Sequence, residues 1–590
     1  MKRGIIGLFL VLFALSACQK KDIYDPNYNP DLGVSVPDDF DWSTTKTLTV
    51  NVEVNDEYKG KYYYTVRVYD KYPAEGVLPV AASQTVNKNM PFSKEIVIPA
   101  TVSKLYIAQV FKNADASEMV TLKEANINGE VVNYSFKESR ARSVAGRGEA
   151  IVLTSGMLID KNSHYVIQES NTFVIHEISD KVTGVIIDVE GELVFSDEID
   201  LPNNWEINVQ DGGKLNASDD LTFGSSSALR NNGEVSISGE LKMDNGSTFH
   251  NGSTEFGLEG GCLTAKSIVF SGGNGDNKYE LGPKSYTSCE ELETDKTIKI
   301  VMKTGAWLRV TKELDFDDKN SSIEAEGDPI AQSNYVALAQ IGQITEGHKA
   351  NIGKGVLVEC TEDNIGGTDI ADRVDNAKDK ITIVGTTCSG SFGGEEPVGL
   401  GGGYYTYIIE DQYPEEGDYD MNDIVVVMSA IQKGNTVYLK GSLVAAGANY
   451  RMIPCVLIRN TDIAIPLFED ENDDEMEAYE VLTGSKGAPS PIGTTIDKKC
   501  DPRSFEHELE GVPLNLGLDD IDFCILINDQ YIHWNTQEGK STWGMRIPGE
   551  NFRIPLEGKN IINAYPHFRD WFTNKESDWY NYPESSLVMP

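Results

Sequence analysis

The strongest constraint on the fold is a weak repeat in which a short apolar strand begins directly after a glycine. Segments of the form Gly-x-Leu or Gly-x-Val begin at Gly191, Gly213 and Gly233, so they recur at intervals of 22 and then 20 residues. Asparagine and glycine pairs between them are typical of tight corners. One rung of this size buries its apolar side chains only by stacking on the next rung. The repeat therefore predicts a β-solenoid, like a parallel β-helix, over residues 163–389, with a second antiparallel sandwich as the alternative.

The region before the repeat reads as a separate all-β domain. Leu48, Val50 and Val52 alternate with polar residues, which is typical of a half-buried strand. Further short strands with turns between them predict a β-sandwich over residues 46–137, of immunoglobulin, fibronectin or transthyretin shape. A basic stretch containing Ser and Gly follows, so residues 138–162 are predicted to connect the sandwich to the solenoid.

Residues 1–18 have the pattern of a bacterial lipoprotein signal peptide. A basic Lys2-Arg3 pair precedes an apolar stretch that is too short for a typical membrane span. The sequence Leu-Ser-Ala-Cys that ends at Cys18 resembles a lipobox, whose cysteine carries acyl chains such as palmitate. Each buried CH₂ contributes about 0.8 kcal/mol to anchoring. We therefore predict lipidation at Cys18 and an outer-membrane lipoprotein that faces the cell surface or the periplasm.

Two further stretches read as linkers. Proline, asparagine and aspartate recur through residues 19–45, which predicts an extended tether. Phe40 and Trp42 near its end are expected to dock on the domain that follows. Residues 390–403 are rich in glycine but lack the Gly-Lys-Ser/Thr of a phosphate-binding loop, so they are predicted to form a hinge.

The charge of the chain excludes several classes of partner. Acidic residues outnumber basic ones 92 to 51, which gives a formal net charge of −41. Nucleic-acid binders need basic patches, and electrostatic adhesion to anionic lipid needs basic residues as well. We therefore expect no nucleic-acid partner and contact with the membrane only through the N-terminal lipid. A chain with this excess of acidic residues favours the binding of divalent cations.

An acidic turn separates an apolar run that ends at Ile409 from a β-branched run that begins at Ile424. The candidate ligands are its oxygen-bearing side chains, namely Glu410, Asp411, Asp418, Asp420, Asn422 and Asp423. Ca²⁺ takes roughly six to eight oxygen ligands, and a sharply turning chain could aim these at one point. The spacing is not that of an EF-hand. The alternative is an ordinary turn in which the side chains bond to their own backbone.

The same turn carries a family resemblance. From Glu410 the chain reads E-D-x-x-P-x-x-G-D-Y-D-x-N-D-I-V-V, and T-W-G-M-R-I-P at 542–548 and A-Y-P-H-F-R-D-W at 564–571 follow. Together these motifs resemble the LruC-type domain, a C-terminal domain of bacterial, Bacteroidetes-like lipoproteins, over about residues 400–590. The resemblance implies a surface or periplasmic protein of undefined biochemical function. We expect residues 404–590 to form this domain as a β-sandwich-like unit.

Seven cysteines remain beyond Cys18, and an extracytoplasmic compartment would permit disulfides among them. An odd number leaves at least one thiol free or paired externally. Cys262 with Cys289 and Cys360 with Cys388 are the candidate bridges, although connectivity does not follow from sequence.

Two functions compete at this level. The first is a non-catalytic, lipid-anchored envelope protein for binding, adhesion or structure, with an envelope protein or a glycan as partner and the LruC-type domain at the end of a solenoid spacer. The alternative is a carbohydrate-active enzyme or glycan-binding accessory protein that uses the solenoid groove. Trp571, Trp579 and Tyr580 would either stack on sugars or pack against the sheet. The sequence contains no catalytic motif, which favours the first function.

Overall fold

The structure is a computed structural model. It describes residues 36, 40–74, 76–137, 150–253, 260–271, 278–295, 297–318, 320–345, 350–360, 368–411, 413, 419–447, 451–485, 500–538 and 541–589. The molecule is mostly β, with 50% strand and 4% helix, which confirms the predicted all-β class. Among the described residues, no helix is long and apolar enough to cross a membrane.

The N-terminal domain is a sandwich of two sheets around one apolar core. Its strands are β1 Thr45–Glu53, β2 Tyr64–Tyr69, β3 Ala81–Val86, β4 Phe92–Pro99, β5 Lys104–Lys112, β6 Glu118–Asn126 and β7 Val131–Ser135. One sheet has the order β4-β1-β7 and the other β3-β2-β5-β6. Leu48, Val50 and Val52 are buried because alternate side chains of a strand point to the same face.

The central domain consists of two long parallel sheets whose inner faces enclose a continuous apolar core. The strands of the first sheet are β8 Ile151–Val152, β9 His164–Ile167, β11 Ile186–Val189, β14 Glu206–Val209, β17 Ala228–Asn231, β19 Thr248–Asn251, β21 Lys278–Leu281, β23 Lys299–Lys303, β25 Ser322–Glu326, β27 Asn351–Ile352 and β29 Asp369–Ile370. The strands of the second sheet are β10 Thr172–Ile175, β12 Glu192–Phe195, β13 Ile199–Leu201, β15 Lys214–Ala217, β16 Leu221–Phe223, β18 Glu234–Met243, β20 Cys262–Ser271, β22 Tyr286–Asp295, β24 Trp307–Phe316, β26 Ala337–Ile344, β28 Val356–Glu359 and β30 Arg373–Val374.

Neighbouring rungs of this domain pair in parallel, with β12 on β15, β15 on β18 and β11 on β14. The β-solenoid is therefore confirmed, and the alternative of an antiparallel sandwich is wrong. The first parallel strand is Ile151–Val152, so the sheet begins inside residues 138–162, which had been predicted as a connection.

The repeated glycines lie at a corner of the solenoid where a side chain has no room. A Cβ on Gly213 would lie 2.1 Å from the carbonyl oxygen of Val189, one rung earlier. A Cβ on Gly233 would lie 2.2 Å from the carbonyl oxygen of Gly213. The period in the sequence thus records a close approach of backbone to backbone at each rung.

The C-terminal domain packs two antiparallel sheets face to face. The first sheet has the order β36-β33-β32-β31-β41 and consists of β31 Val398–Ile409, β32 Ile424–Lys433, β33 Thr436–Ala446, β36 Arg503–Glu510 and β41 Gly544–Pro548. The second has the order β35-β34-β37-β38 and consists of β34 Ile453–Ile458, β35 Ala464–Pro466, β37 Ile521–Ile527 and β38 Gln530–His533. The remaining elements are the strands β39 Gln537–Glu538 and β40 Ser541–Thr542, the helices α1 Ala478–Thr483, α2 Ile561–Ala564 and α3 Phe568–Trp571, and the 3₁₀ turns Leu518–Asp520 and Trp579–Asn581.

The end of the tether docks on the C-terminal domain and not on the next domain, so that expectation is wrong. Trp42 is 6% exposed and lies 5.9 Å from the Trp571 ring, centroid to centroid. Phe40 packs edge-on to the same indole. Lys575 donates hydrogen bonds to the backbone carbonyls of Asp41 and Ser43. These side chains complete an apolar cluster with the aromatic residues near the end of the chain.

The glycine-rich stretch before the C-terminal domain is packed, which differs from the predicted hinge. Glu396 accepts hydrogen bonds from Arg67 at 2.9 Å and from Lys112 at 2.8 Å, and both bases belong to the N-terminal sandwich. The backbone N–H of Gly399 donates to Pro79 at 3.0 Å. The first and last domains therefore contact each other, and the last domain is not a free end on a solenoid spacer.

The disulfide joins Cys262 to Cys388, so both candidate bridges are wrong. Cys262 pairs in register with Tyr286, three residues before Cys289. An odd offset along a strand points to the opposite face, and Cys289 is buried in the solenoid core. Cys360 is buried in that core as well. Cys262 instead packs in a cluster outside that core.

Candidate functional site

The acidic turn lies between β31 and β32 at one end of the C-terminal domain. Glu410, Asp411, Asp420 and Asn422 are each at most 2% exposed, and Asp423 is half-buried. Burial of three carboxylates beside a half-buried fourth in one short stretch is unusual because a charged group loses its hydration there. Asp418 lies outside the described residues, as does Cys18 with the signal peptide.

The chain turns sharply between these residues. Tyr419 and Met421 both have positive φ, at 58° and 56°, a region that residues other than glycine seldom adopt. This backbone aims the N–H of Met421 at Glu410 Oε1, 2.6 Å away. The N–H of Asp411 donates to Asp423 Oδ2 at 2.9 Å. The two ends of the turn are thus held together by carboxylates that accept backbone hydrogen bonds.

Two more contacts fix the turn to the loop before α2. The backbone N–H of Gly558 donates to Asp420 Oδ2 at 2.7 Å, and Asn422 Nδ2 donates to the carbonyl of Pro555 at 3.2 Å. The other amide atom, Asn422 Oδ1, is buried and accepts no hydrogen bond from the described residues. A buried oxygen without a donor is a ready ligand for a cation.

The electrostatics of the turn favour neutralisation. Burial raises the pKa of Asp423 well above its usual value, and the charges of Asp411, Glu410 and Asp420 raise this pKa further. The structure thus brings these four predicted residues into one electrostatic neighbourhood. Across the described residues, however, no group of three or more His, Cys, Asp or Glu side chains is arranged so that it could hold a metal ion.

A second polar cluster lies on the outer face of the first solenoid sheet, and the sequence did not single it out. Asn208 Nδ2 donates to Asp188 Oδ1 at 2.9 Å and to Glu206 Oε1 at 3.1 Å. These two carboxylate oxygens therefore lie within about 6 Å of each other. His164 lies 2.8 Å from Asp188, and Arg230 lies 2.5 Å from Glu206. Only the 20-residue register, which stacks residues of successive rungs, could have revealed this cluster.

The C-terminal aromatic residues pack together and do not present a sugar platform. The rings of Trp571 and Trp579 are fully buried, and their centroids are 5.7 Å apart. Burial also raises the pKa of Tyr580, whose ring lies edge-on to Trp579. These side chains form the core under α2 and α3, so the packing alternative is the one observed.

Comparison with known proteins places one family segment in this domain. A family model described as a domain of unknown function (DUF4842) matches residues 527–580. The matched segment lies within residues 404–590, the C-terminal domain of the structure. It includes Pro555 and Gly558, which hold the acidic turn.

Among solved structures, the chain is similar to the crystal structure of a putative lipoprotein from Bacteroides ovatus. The sequence identity is 14%, the similarity covers 33% of this chain and 77% of that chain, and the TM-score is 0.21. No curated protein shows significant similarity to the chain.

Proposed function

We propose that this protein is a lipid-anchored component of the cell envelope, facing the cell surface or the periplasm, that acts by binding, adhesion or structural support. The observation that carries the proposal is the docking of the tether. Val36, Phe40 and Trp42 lie in one buried cluster with α2 and α3 of the C-terminal domain. The predicted lipid site at Cys18 is thus linked to a segment that packs on the C-terminal domain from Val36 onward. The chain between Cys18 and Val36 extends at most roughly 60 Å.

This arrangement supports an anchored body held near a membrane. The first and last domains meet where the tether docks. Lys61 beside the sandwich strands donates to the carbonyl and side-chain oxygens of Asn232 in the solenoid, at 2.8 and 2.9 Å. A membrane attached at Cys18 would therefore lie within roughly 60 Å of the docked segment at Val36.

Cell fractionation tests the anchor. Cys18→Ala should move the protein from the membrane fraction to the soluble fraction or leave it unprocessed. Cys500→Ala removes a different thiol and should fractionate as wild type. A Cys18→Ala protein that stays in the membrane fraction and migrates as wild type would contradict lipid anchoring at this residue.

We also propose that the acidic turn binds Ca²⁺ through Glu410, Asp411, Asp420, Asn422 and Asp423, with Asp418 as a further ligand. Crowded carboxylates and the buried amide oxygen of Asn422 support this, because a hard cation would neutralise the first and satisfy the second. The side chains would have to close around the ion. A bound ion would stabilise the folded state by about 2.7 kcal/mol at a hundredfold excess over its Kd.

Thermal unfolding of the chain from residue 19 onward tests the calcium site. The melting temperature should be higher in Ca²⁺ than in chelator for the wild type. Asp420→Asn keeps an oxygen for the Gly558 N–H but removes a charge, so it should reduce this difference. Asp200→Asn, at an exposed side chain on β13 of the solenoid, is the matched control and should keep the difference. Equal melting temperatures in both conditions for the wild type would leave only a capped turn.

The solenoid cluster favours a second candidate, a carbohydrate-active enzyme or accessory protein. Asp188 and Glu206 are close enough to act as a carboxylate pair, with Arg230 and His164 beside them. Release of reducing ends from polysaccharides would support it if Glu206→Gln abolishes the release. Glu234→Gln, at an exposed pair with Lys214, is the control. Equal release by the wild type and Glu206→Gln would exclude this pair.

A further inference from the structure

A glycine-rich bulge opens the first sheet of the C-terminal domain. Leu400 pairs with Ala430 and Tyr405 pairs with Met428, so the four residues between them oppose Ser429 alone. Three of the four are glycines with φ of 74°, 85° and 157°, a backbone that side chains seldom permit. The stretch that reads as a hinge is thus a wide bulge that lifts β31 off β32.

Contacts with the N-terminal sandwich hold this bulge in place. A Cβ on Gly402 would lie 2.3 Å from a carboxylate oxygen of Asp70, so only glycine fits. Lys71 Nζ donates to the carbonyl of Gly402 at 3.2 Å. Bulges of this kind are common beside binding sites, where bare backbone comes close to a ligand.

A cavity of about 630 Å³ lies between the bulge and the sandwich. We call it the junction cleft, and its floor and walls come from the bulge, from the outer faces of β32, β33 and β36, and from the loop before β3. The lining residues that the argument uses are Leu78, Tyr404, Ser429, Ile431, Tyr438 and Lys440. Ligand pockets for small molecules are typically of this size and combine apolar walls with a few polar groups.

Two rows of side chains cross the floor in register. Ile431, Tyr438 and Glu508 form one row on adjacent strands, so the Tyr438 ring lies beside the Glu508 side chain. In the other row Lys440 Nζ lies 2.7 Å from Glu506. Lys440 and Glu506 therefore neutralise each other on the floor, and the cleft presents the Tyr438 ring with hydrogen-bonding groups at its margin.

These features select the class of ligand. β32 and β33, which form the floor of the cleft, are paired with other strands on both sides, so a peptide could not add to the sheet there. An anionic ligand would meet Glu506, Glu508 and the net charge of −41. A flat ligand with an apolar face and a rim of hydroxyl groups suits a tyrosine ring beside the Lys440–Glu506 ion pair.

We propose that the junction cleft binds a neutral oligosaccharide, with a sugar ring stacked on Tyr438 and hydroxyls bonded to Lys440, Glu508 and the backbone of the bulge. This deepens the binding function proposed above, and it concerns a site separate from the solenoid cluster. It depends on the cleft alone and not on the lipid.

Calorimetry with the chain from residue 19 onward, which contains every described residue, tests the proposal. The neutral probes are hexamers of glucose, xylose, mannose and N-acetylglucosamine, and the acidic probe is a hexamer of galacturonic acid. We expect at least one neutral hexamer to bind more tightly than the acidic one. Tyr438→Ala should weaken that binding about tenfold, at the upper end of a single aromatic contact. Ser429→Trp should weaken it too because it fills the floor of the cleft.

Tyr531→Ala is the matched control, because Tyr531 and Tyr438 are both 38% exposed and Tyr531 does not line the cleft. It should bind as wild type, and the melting temperatures of the three variants show whether they are folded. The proposal is overturned if no neutral hexamer binds, if the acidic hexamer binds best, or if folded Tyr438→Ala and Ser429→Trp bind as wild type. None of these results bears on anchoring, which Cys18→Ala tests in cells.

Discussion

Single glycines set the shape of the solenoid because they lie where one rung touches the next. Gly213 has the carbonyl oxygen of Val189 on one side and its own carbonyl against Gly233 on the other. The sequence reveals the glycine and its period, but only the structure shows that glycine is required because two backbones touch there. Gly353 is different, since a Cβ there would meet only the Ile323 carbonyl at 3.7 Å.

Gly213→Ala should therefore destabilise the solenoid by about 3 kcal/mol, because the new methyl group overlaps a backbone oxygen that cannot move alone. The midpoint of urea unfolding measures the effect. Gly353→Ala is the matched control and should shift the midpoint little or upward, since its Cβ has room. Equal losses at both positions would mean that the corner relaxes and that the glycine period has another cause.

Buried asparagines also stack on one another along the solenoid, and the sequence predicts their positions but not their stacking. Asn231 and Asn251 are fully buried on successive rungs, and Asn231 Nδ2 donates to Asn251 Oδ1 at 2.8 Å. The sequence predicts turns at such asparagines because the residue type favours them. The stacking of Asn231 on Asn251 cannot be predicted in this way, because it depends on the register between successive rungs.

Lys575 gives the tether dock a dependence on pH. Burial lowers the pKa of Lys575 to about 8, and the charge of Asp41 opposes that shift. In the unfolded chain the amine titrates near pH 10.4, so between about pH 8 and pH 10 the unfolded state binds more protons. The unfolding free energy should therefore rise over this window in the wild type, relative to Lys575→Met. An identical pH dependence in the two proteins would contradict a buried ammonium at the dock.

At the scale of elements, the sequence predicts what is local. The alternation in β1 and the glycine period of the rungs each arise from contacts within a few residues or between adjacent repeats, so both predictions are confirmed. The bulge at residues 401–404 was mistaken for a hinge because glycine serves both uses, and the difference lies in Asp70 and Lys71, more than three hundred residues away. In the acidic turn, the sequence supplied the carboxylates, and the structure added the support from Pro555 and Gly558.

The packing of the tether on the C-terminal domain leads to a prediction at the scale of elements. Trp42→Ala should remove an indole packed against Phe568, Trp571 and Phe572, and burial of this kind is worth about 3–5 kcal/mol. We expect a lower melting temperature and faster cleavage within residues 19–45 by a nonspecific protease. Tyr582→Ala, at a side chain that is 53% exposed, should change neither. Cleavage of the tether at the wild-type rate in Trp42→Ala would show that the dock does not hold it.

At the scale of the whole molecule, the order of domains along the chain differs from their order in space. The modules read as a linear series of tether, sandwich, solenoid and last domain, yet the tether and the first domain both contact the last. Thr44 Oγ1 donates to the carbonyl of Arg546, and Arg546 Nη2 donates to Thr45 at 3.0 Å, across some five hundred residues. Such contacts depend on the fit of two complete surfaces, and neither composition nor periodicity encodes that fit.

The disulfide is the covalent part of this arrangement. Cys262 belongs to the solenoid rung β20, and Cys388 lies beyond the last rung, with a sequence separation of 126 residues. Closure of a loop of that length restricts the unfolded chain, and the corresponding stabilisation is about 5 kcal/mol in the chain-entropy model. Cys388 is exposed, whereas Cys262 is 4% exposed. Oxidised protein should therefore unfold at a higher urea concentration than reduced protein.

Thiol labelling of the unfolded chain from residue 19 onward shows which state each sample holds. Five cysteines are free in the structure, so labelling without reductant should modify five thiols and labelling after reduction should modify seven. Cys500→Ala should retain the difference between oxidised and reduced midpoints, whereas Cys388→Ala should lose it and unfold like the reduced wild type. If the wild type labels at seven thiols without reductant, the bridge does not form. If it labels at five but has the same midpoint after reduction, the disulfide forms but adds little stability. Neighbouring contacts, such as the hydrogen bond from the Thr387 N–H to the Lys61 carbonyl at 3.1 Å, would then hold residue 388 in place without it.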